Sequence, residues 1–333
     1  MKTNFSTKSV GYAIAVLFLL FYFVGVYWSS SVNTIDIHQE VTAAATRDNV
    51  APVVGYTTTT TLIKVASSLL DKPGGYLSND ALPPSVFLDN MPAWEFGVLE
   101  MVRDLALVLR KDFSRSQSQS LENIHIKEAQ PKFNIDNRSW AMPSAESEYR
   151  KAINSLHKYR DSLVGISKEQ GNNAQFYARA DNLTAYLDEV QKRLGSYSQR
   201  LSASVGKVKV NTDLAGDSKA RQSSHESSHS QFRTSWWQLD NVFYESRGAA
   251  WALLHFLKAI EIDFESVLKN KNATISLQQI VRELEASQQT LWSPMVLNGD
   301  GFGMLANHSL VMANYISRAN AALIDLNELL RKG

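Results

Sequence analysis

Residues Val10 to Trp28, VGYAIAVLFLLFYFVGVYW, form an unbroken apolar run with no charged residue. At about 1.5 Å per helical residue, the run reaches about 28 Å, close to the hydrocarbon thickness of a bilayer. A membrane-spanning helix is expected here, which makes the lipid bilayer the first partner. Tyr22, Tyr27 and Trp28 gather toward its far end, where amphipathic rings suit the interface, and Lys2 and Lys8 are the only charges on the near side. That pattern predicts a short cytoplasmic N-terminus and a single pass, with the rest of the chain on the other side. A cleaved signal peptide has a shorter apolar region that ends in small residues, whereas this one ends in Val26, Tyr27 and Trp28.

Roughly 300 residues follow the run, enough for a substantial core. They contain no cysteine, which excludes disulfides, thiolate metal sites and a cysteine nucleophile, and is compatible with a bacterial periplasm. Lys and Arg number 34 against 33 Asp and Glu, so nothing in the global charge favours a phosphate backbone, and no nucleic-acid partner is expected. The expected organisation is a cytoplasmic tail over 1–9, the transmembrane helix over 10–28 and a tether over 29–57. A helical region over 58–203 follows, then a polar linker or loop over 204–233 and a C-terminal helical region over 234–333.

Helical signals dominate. Thr57 to Thr61 lead into Leu62, Ile63, Val65, Leu69 and Leu70 at helical spacing, with Gly74-Gly75 as the stop. Asn90 is the expected cap, with Pro92 in the first turn, of a helix carrying Leu99, Val102, Ala106, Leu109 and Phe113 as one stripe, with Arg103 and Arg110 seven apart on another face. Ser144 is the expected N-cap of the next helix, with Glu146 and Glu148 in its first turn and a seam of Tyr149, Ile153, Leu156, Tyr159 or Arg160, and Leu163. After a turn at Gly171-Asn172-Asn173, the residues Phe176, Ala180, Leu183, Leu187, Val190, Leu194, Tyr197 and Leu201 keep a heptad stripe. This stripe predicts a long antiparallel hairpin with the preceding helix, and is also a candidate interaction seam for a second copy or another envelope protein. A helical stretch over Ser235 to Leu268 includes Trp236 and Trp237. Ser276 and Gln279 form a capping box, Ile275 and Ile280 a staple, and a final helix runs from Leu305 to Leu330. No strand is expected, so the fold class is all-α with a multi-helix domain after the anchor.

The segment from Gly74 to Glu146 is the most distinctive. The strings YLSND from Tyr76, LDNMPAWEFGVLE from Leu88, RD at Arg103, LRKDFSRSQSQS from Leu109 and SWAMPSAESEYR from Ser139 stand out. In these strings the chain resembles an uncharacterised family of proteobacterial inner-membrane proteins, domain of unknown function twenty-three thirty-three. The resemblance extends over most of the chain. It implies a bacterial envelope setting and no particular chemistry.

Three places carry residue types that chemistry would need. His225 and His229 have i, i+4 spacing but lack a third ligand, and Gly299 to Gly303, GDGFG, follows a helix and lacks a partner lysine. Neither is expected to be a site, and no metal or cofactor is expected. The third is a candidate binding cleft of Asp89, Asn90, Trp94, Glu95, Arg103, Asp104, Arg110, Asp112, Arg115 and Trp140, where polar and aromatic residues converge. These carboxylates and arginines either pair with each other to hold loops, bind a ligand, or supply an acid and base such as Glu95 with Asp89 or Asp104. No residue is assigned as catalytic. The expected function is a scaffold or adaptor anchored in the bacterial inner membrane with a periplasmic helical domain. A peptidoglycan-acting enzyme using carboxylates near Glu95 and a ligand-binding sensor remain alternatives.

Overall fold

The structure, a computed structural model, describes residues 7–116, 122–166, 174–205, 207–210, 229–232, 234–293, 295–299 and 304–332. It is all-α. Its helices are α1 (Thr7–Trp28), α2 (Ile37–Asp48), α3 (Tyr56–Asp71), α4 (Asn90–Val108), α5 (Ile124–Phe133), α6 (Ala145–Leu163), α7 (Ala180–Ser202), α8 (Leu239–Asp263), α9 (Glu265–Asn270), α10 (Thr274–Ser287) and α11 (His308–Arg331). One departure from the strand-free expectation is a small antiparallel ribbon of β1 (Lys207–Val210) and β2 (His229–Phe232) within the polar segment.

α1 has a mean hydropathy of 2.2 over its spanning window, of which 6% is buried against the rest of the protein, so it is not a core helix. By length and composition it can cross a membrane. The remainder is built around the contact of α4 with α8. A methyl group on Gly97 would lie 1.9 Å from the Glu245 carbonyl oxygen, and one on Gly248 would lie 2.1 Å from that of Trp94. The two backbones touch because both positions are glycine. Trp94 and Trp251 pack beside this crossing with ring centroids 5.2 Å apart.

The threonine run does open a helix, α3, and Thr57 to Thr61 are all buried in it. Asp263, the last residue of α8, accepts from the free Thr58 amide at 2.7 Å, placing a carboxylate at the positive end of α3. Ser144 caps α6 as expected, accepting from Ser147 N at 3.3 Å. The 29–57 stretch is more than a spacer, since α2 within it buries Ile37, Val41, Ala44 and Ala45 against α3 and α8.

The expected hairpin does not form between α6 and α7. α6 packs on α5 and α3, whereas α7 lies chiefly on α11 and then on α4 and α8. Leu183, Leu187, Val190, Leu194, Tyr197 and Leu201 are consequently buried in the chain's own core. Phe176 precedes α7, packed against Phe113 and Phe264. Core residues from both sides of the polar segment belong to one cluster. Two local expectations also shift. α10 starts at Thr274, so Ser276 is inside the helix and Ile275 stays 75% exposed, without capping box or staple. Trp236 and Trp237 form an exposed turn before α8 rather than part of its buried face. The Gly171-Asn172-Asn173 turn and most of the serine-rich segment lie outside the described residues.

Candidate functional site

The site begins where α1 ends. The turn after α3 contains Gly74 and Gly75, both with positive φ (84° and 70°), a conformation that suits residues without Cβ. A side chain on Gly74 would collide with the Trp28 ring, 2.7 Å from its Cγ, so the indole at the end of α1 rests directly on the turn. α4 holds this turn from behind. Glu95 is fully buried, 2.6 Å from Lys72 Nζ, and accepts from Leu77 N at 2.8 Å, Ser78 N at 2.9 Å and Ser78 Oγ at 2.5 Å. Lys72 also donates to the Gly75 carbonyl. Burial pushes the Glu95 carboxyl up from its ordinary range, and Lys72, Ser78 and Leu77 pull it back. Such a pair survives burial because donors surround the carboxylate. Tyr76 and Asn79 tie the far side of the turn to the Asn137 and Ser139 carbonyls, and Asn79 also to Glu146.

A strap, residues 29–36, then runs from α1 over α8. Trp251 Nε1 donates to the Asn33 carbonyl at 3.2 Å, and Ile35 N donates to His255 Nε2 at 2.8 Å. Nε2 must therefore carry the lone pair, and Nδ1–H donates to the Trp251 carbonyl at 2.6 Å. Burial pushes His255 down to about 4, so it is neutral at pH 7. Beneath the strap lie a cavity of about 900 Å³, lined by Ile35, Asp36, His38, Lys258, Glu261 and Lys269 among others, and one of about 240 Å³, lined by Asn33, Asn90, Trp94, Arg247 and Trp251 among others. Arg247 donates to the Gln288 and Gln289 carbonyls.

The ten expected cleft residues are spread over several places. Asn90 and Trp94 face the smaller strap cavity and Glu95 lies in the buried turn clamp. Asp89 is exposed and holds the cap position of α4 without a side-chain cap bond, so Asn90 is the first helical residue rather than the cap, and Trp140 is 74% exposed. Arg103 donates to the Phe133 and Ile135 carbonyls at the C-terminal end of α5 and to Glu100, neutralising orphan carbonyls where the helix dipole is negative. Asp104 is held by Arg193 of α7 at 2.8 Å. Arg110 binds Glu122 at 2.9 Å and Gln130 at 3.0 Å, while Asp112 and Arg115 line a separate hollow of about 480 Å³ with Arg179 and Asp181. Arg110 and Asp112 sit in a five-residue π turn, Leu109–Phe113, that ends α4. Glu95 and Asp104 are nine residues apart on one helix, about 13 Å along its axis, beyond the carboxylate separations of glycosidases.

Among the described residues no three His, Asp or Glu side chains gather as a metal site. His225, the side chain of His229 and residues 300–303 of GDGFG lie outside the described residues. Sequence reasoning missed Lys72, Gly74, Trp251 and His255. Gly74-Gly75 reads only as a helix stop, and Trp251 and His255 read as members of an apolar helix, because their partners are about 40 to 220 residues away. For Gly74 the one signal in the sequence is Trp28 closing the apolar run, an amphipathic ring that needs a surface to rest on.

No curated protein and no solved structure matches the chain. The model of the family described as "Uncharacterized protein conserved in bacteria (DUF2333)" matches residues 1–333, and the chain belongs to that family of bacterial proteins.

Proposed function

We propose that this protein is a single-pass scaffold or adaptor of the bacterial envelope. In this reading α1 crosses the inner membrane, the short N-terminus is cytoplasmic and the helical domain is periplasmic. The supporting observation is the joint itself: an uncovered apolar helix ends with Trp28 seated on Gly74, and the strap continues from it onto Trp251 and His255. A domain docked this way keeps a fixed height and orientation at the membrane, which suits presentation of a surface to a partner. The buried α7 seam cannot be that surface. Exposed Trp237 (79%) and Trp292 (93%) are the better positions to probe.

Because the chain lacks cysteine, topology can be read from single introduced thiols. Met142→Cys should react with a membrane-impermeant maleimide once the outer membrane is opened, and Thr3→Cys only after the inner membrane is lysed; the reverse pattern would overturn the placement. Photo-crosslinkers at Trp237 and Trp292, with the anchor intact, should capture one envelope protein in cells. Absence of any envelope crosslink removes the adaptor reading. The cavity of about 900 Å³ supports a second reading, a sensor for a small charged ligand, because its size suits one and Lys258, Glu261 and Lys269 line it. A ligand-dependent rise in Tm that Lys258→Ala abolishes is its test.

A further inference from the structure

We propose that the loop between Asp80 and Asp89 is a second membrane contact, entering the headgroup zone of the bilayer that α1 crosses; this rests on the anchor reading above. The stretch is Ala-Leu-Pro-Pro-Ser-Val-Phe-Leu, eight residues without a charge. Leu82, Val86 and Phe87 are 76%, 54% and 72% exposed, three large apolar side chains within six residues. An isolated exposed apolar residue needs no explanation, but a fixed cluster of three does.

Its location identifies what covers it. Pro84 and Leu88 lie against Gly25 of α1, their nearest atoms 3.8 and 3.6 Å from where a Gly25 methyl would stand. Phe21, Val24, Gly25 and Trp28 are the positions of this part of α1 that are at least partly covered, and their spacing puts them on one face. Gly25 is three residues before Trp28, about 5 Å back along the helix axis. The loop therefore reaches the level of the last turn of α1, where Tyr27 and Trp28 mark the interface. Toward the acyl boundary of that zone water thins out, and an unpaired backbone group costs more there than in bulk solvent. The 3-10 turn lowers that cost by pairing part of its backbone internally. Phe87 N donates to the Pro84 carbonyl at 3.0 Å, Leu88 N to that of Ser85 at 2.8 Å, and Ser85 Oγ to that of Leu82 at 2.5 Å. With buried Pro84 and Ser85 as its fixed side, the turn presents Leu82, Val86 and Phe87 outward. Two contacts, the helix and the loop, stop the domain from rotating about α1.

The test uses the full chain in phosphatidylethanolamine and phosphatidylglycerol vesicles, with an environment-sensitive fluorophore on single cysteines. Phe18→Cys reports the anchor, Phe87→Cys the loop, and Met142→Cys and Met304→Cys two highly exposed positions elsewhere. Lipids brominated at shallow acyl positions should quench the label at 87 severalfold more than those at 142 and 304, while deep bromines quench the label at 18. Quenching at 18 with none at 87 overturns the loop contact and leaves the anchor standing. A label at 87 that is shielded from water yet unquenched marks burial against protein, this chain or a second copy, and also overturns it. Equal quenching at 87, 142 and 304 reduces the effect to general adsorption and overturns it. No quenching at 18 removes the anchor reading and this inference together.

Discussion

The two ends of α4 carry charges that look alike in sequence and behave differently in the fold. Near its start, Glu95 and Lys72 pair with side chains 0% and 2% exposed. Just past its end, Arg110 and Glu122 pair with both side chains 26% exposed. Burial pushes the Glu95 carboxyl up, whereas the Arg110 guanidinium holds the Glu122 carboxyl below its usual range. Water decides the contrast. At the joint both side chains are shut off from solvent, so nothing replaces a lost partner, and at the far end solvent reaches the pair and screens it.

The largest effect is expected from Glu95→Gln, which leaves the Lys72 ammonium buried without a counter-charge. A loss of about 3–5 kcal/mol in denaturant unfolding is expected, and the double variant K72M/E95Q should recover part of it. If the single variant is as stable as wild type, the clamp is not a charged pair. Gly97→Ala tests the same end through packing alone. Its methyl meets the Glu245 backbone, and a cost of about 3 kcal/mol, visible as a fall of several degrees in Tm, is expected because neither backbone can yield cheaply.

His255 gives the joint a pH dependence. Its native value of about 4 lies below its unfolded value, so between about pH 6.5 and 4 the unfolded chain binds a proton that the native chain refuses. The stability it contributes is complete above that window and is lost as pH falls through it, by up to about 3 kcal/mol. Lys258 adds to the resistance against a second positive charge. Comparing Tm at pH 7.5 and 4.5 for the wild type and His255→Gln isolates this share, and equal slopes for the two would dissociate the strap from the histidine. The smallest effect is expected at the far end of α4. Arg110→Gln should cost roughly 0.5–1 kcal/mol and become milder still in high salt. A cost approaching that of Glu95→Gln would erase the contrast between the two ends.

Much of the fold is legible locally. The serine cap of α6, the helical threonine run of α3 and the stripe of α7 all follow from short-range rules that the chain obeys. The α7 stripe is real, but its partner was misread, because a heptad pattern says which face is buried and not which helix covers it. The turn before the stripe suggested α6, and the core is closed by α11 from more than 100 residues downstream. The candidate cleft shows the same limit. Clustering of Arg, Asp and Glu in sequence is genuine, yet a helix turns its residues through every direction, so Glu95, Arg103, Asp104 and Arg110 each meet a different neighbour.

By itself the sequence determined the all-α class and a terminal helix that is apolar on every side, since periodicity and hydropathy are properties of consecutive residues. Only the tertiary structure decided that α4 and α8 touch backbone to backbone at Gly97 and Gly248, and that Trp28 ends on Gly74 beneath a strap held by Trp251 and His255. Those contacts join positions dozens to hundreds of residues apart. Their stability depends on excluded volume and excluded water, and neither exists until the chain has closed around them.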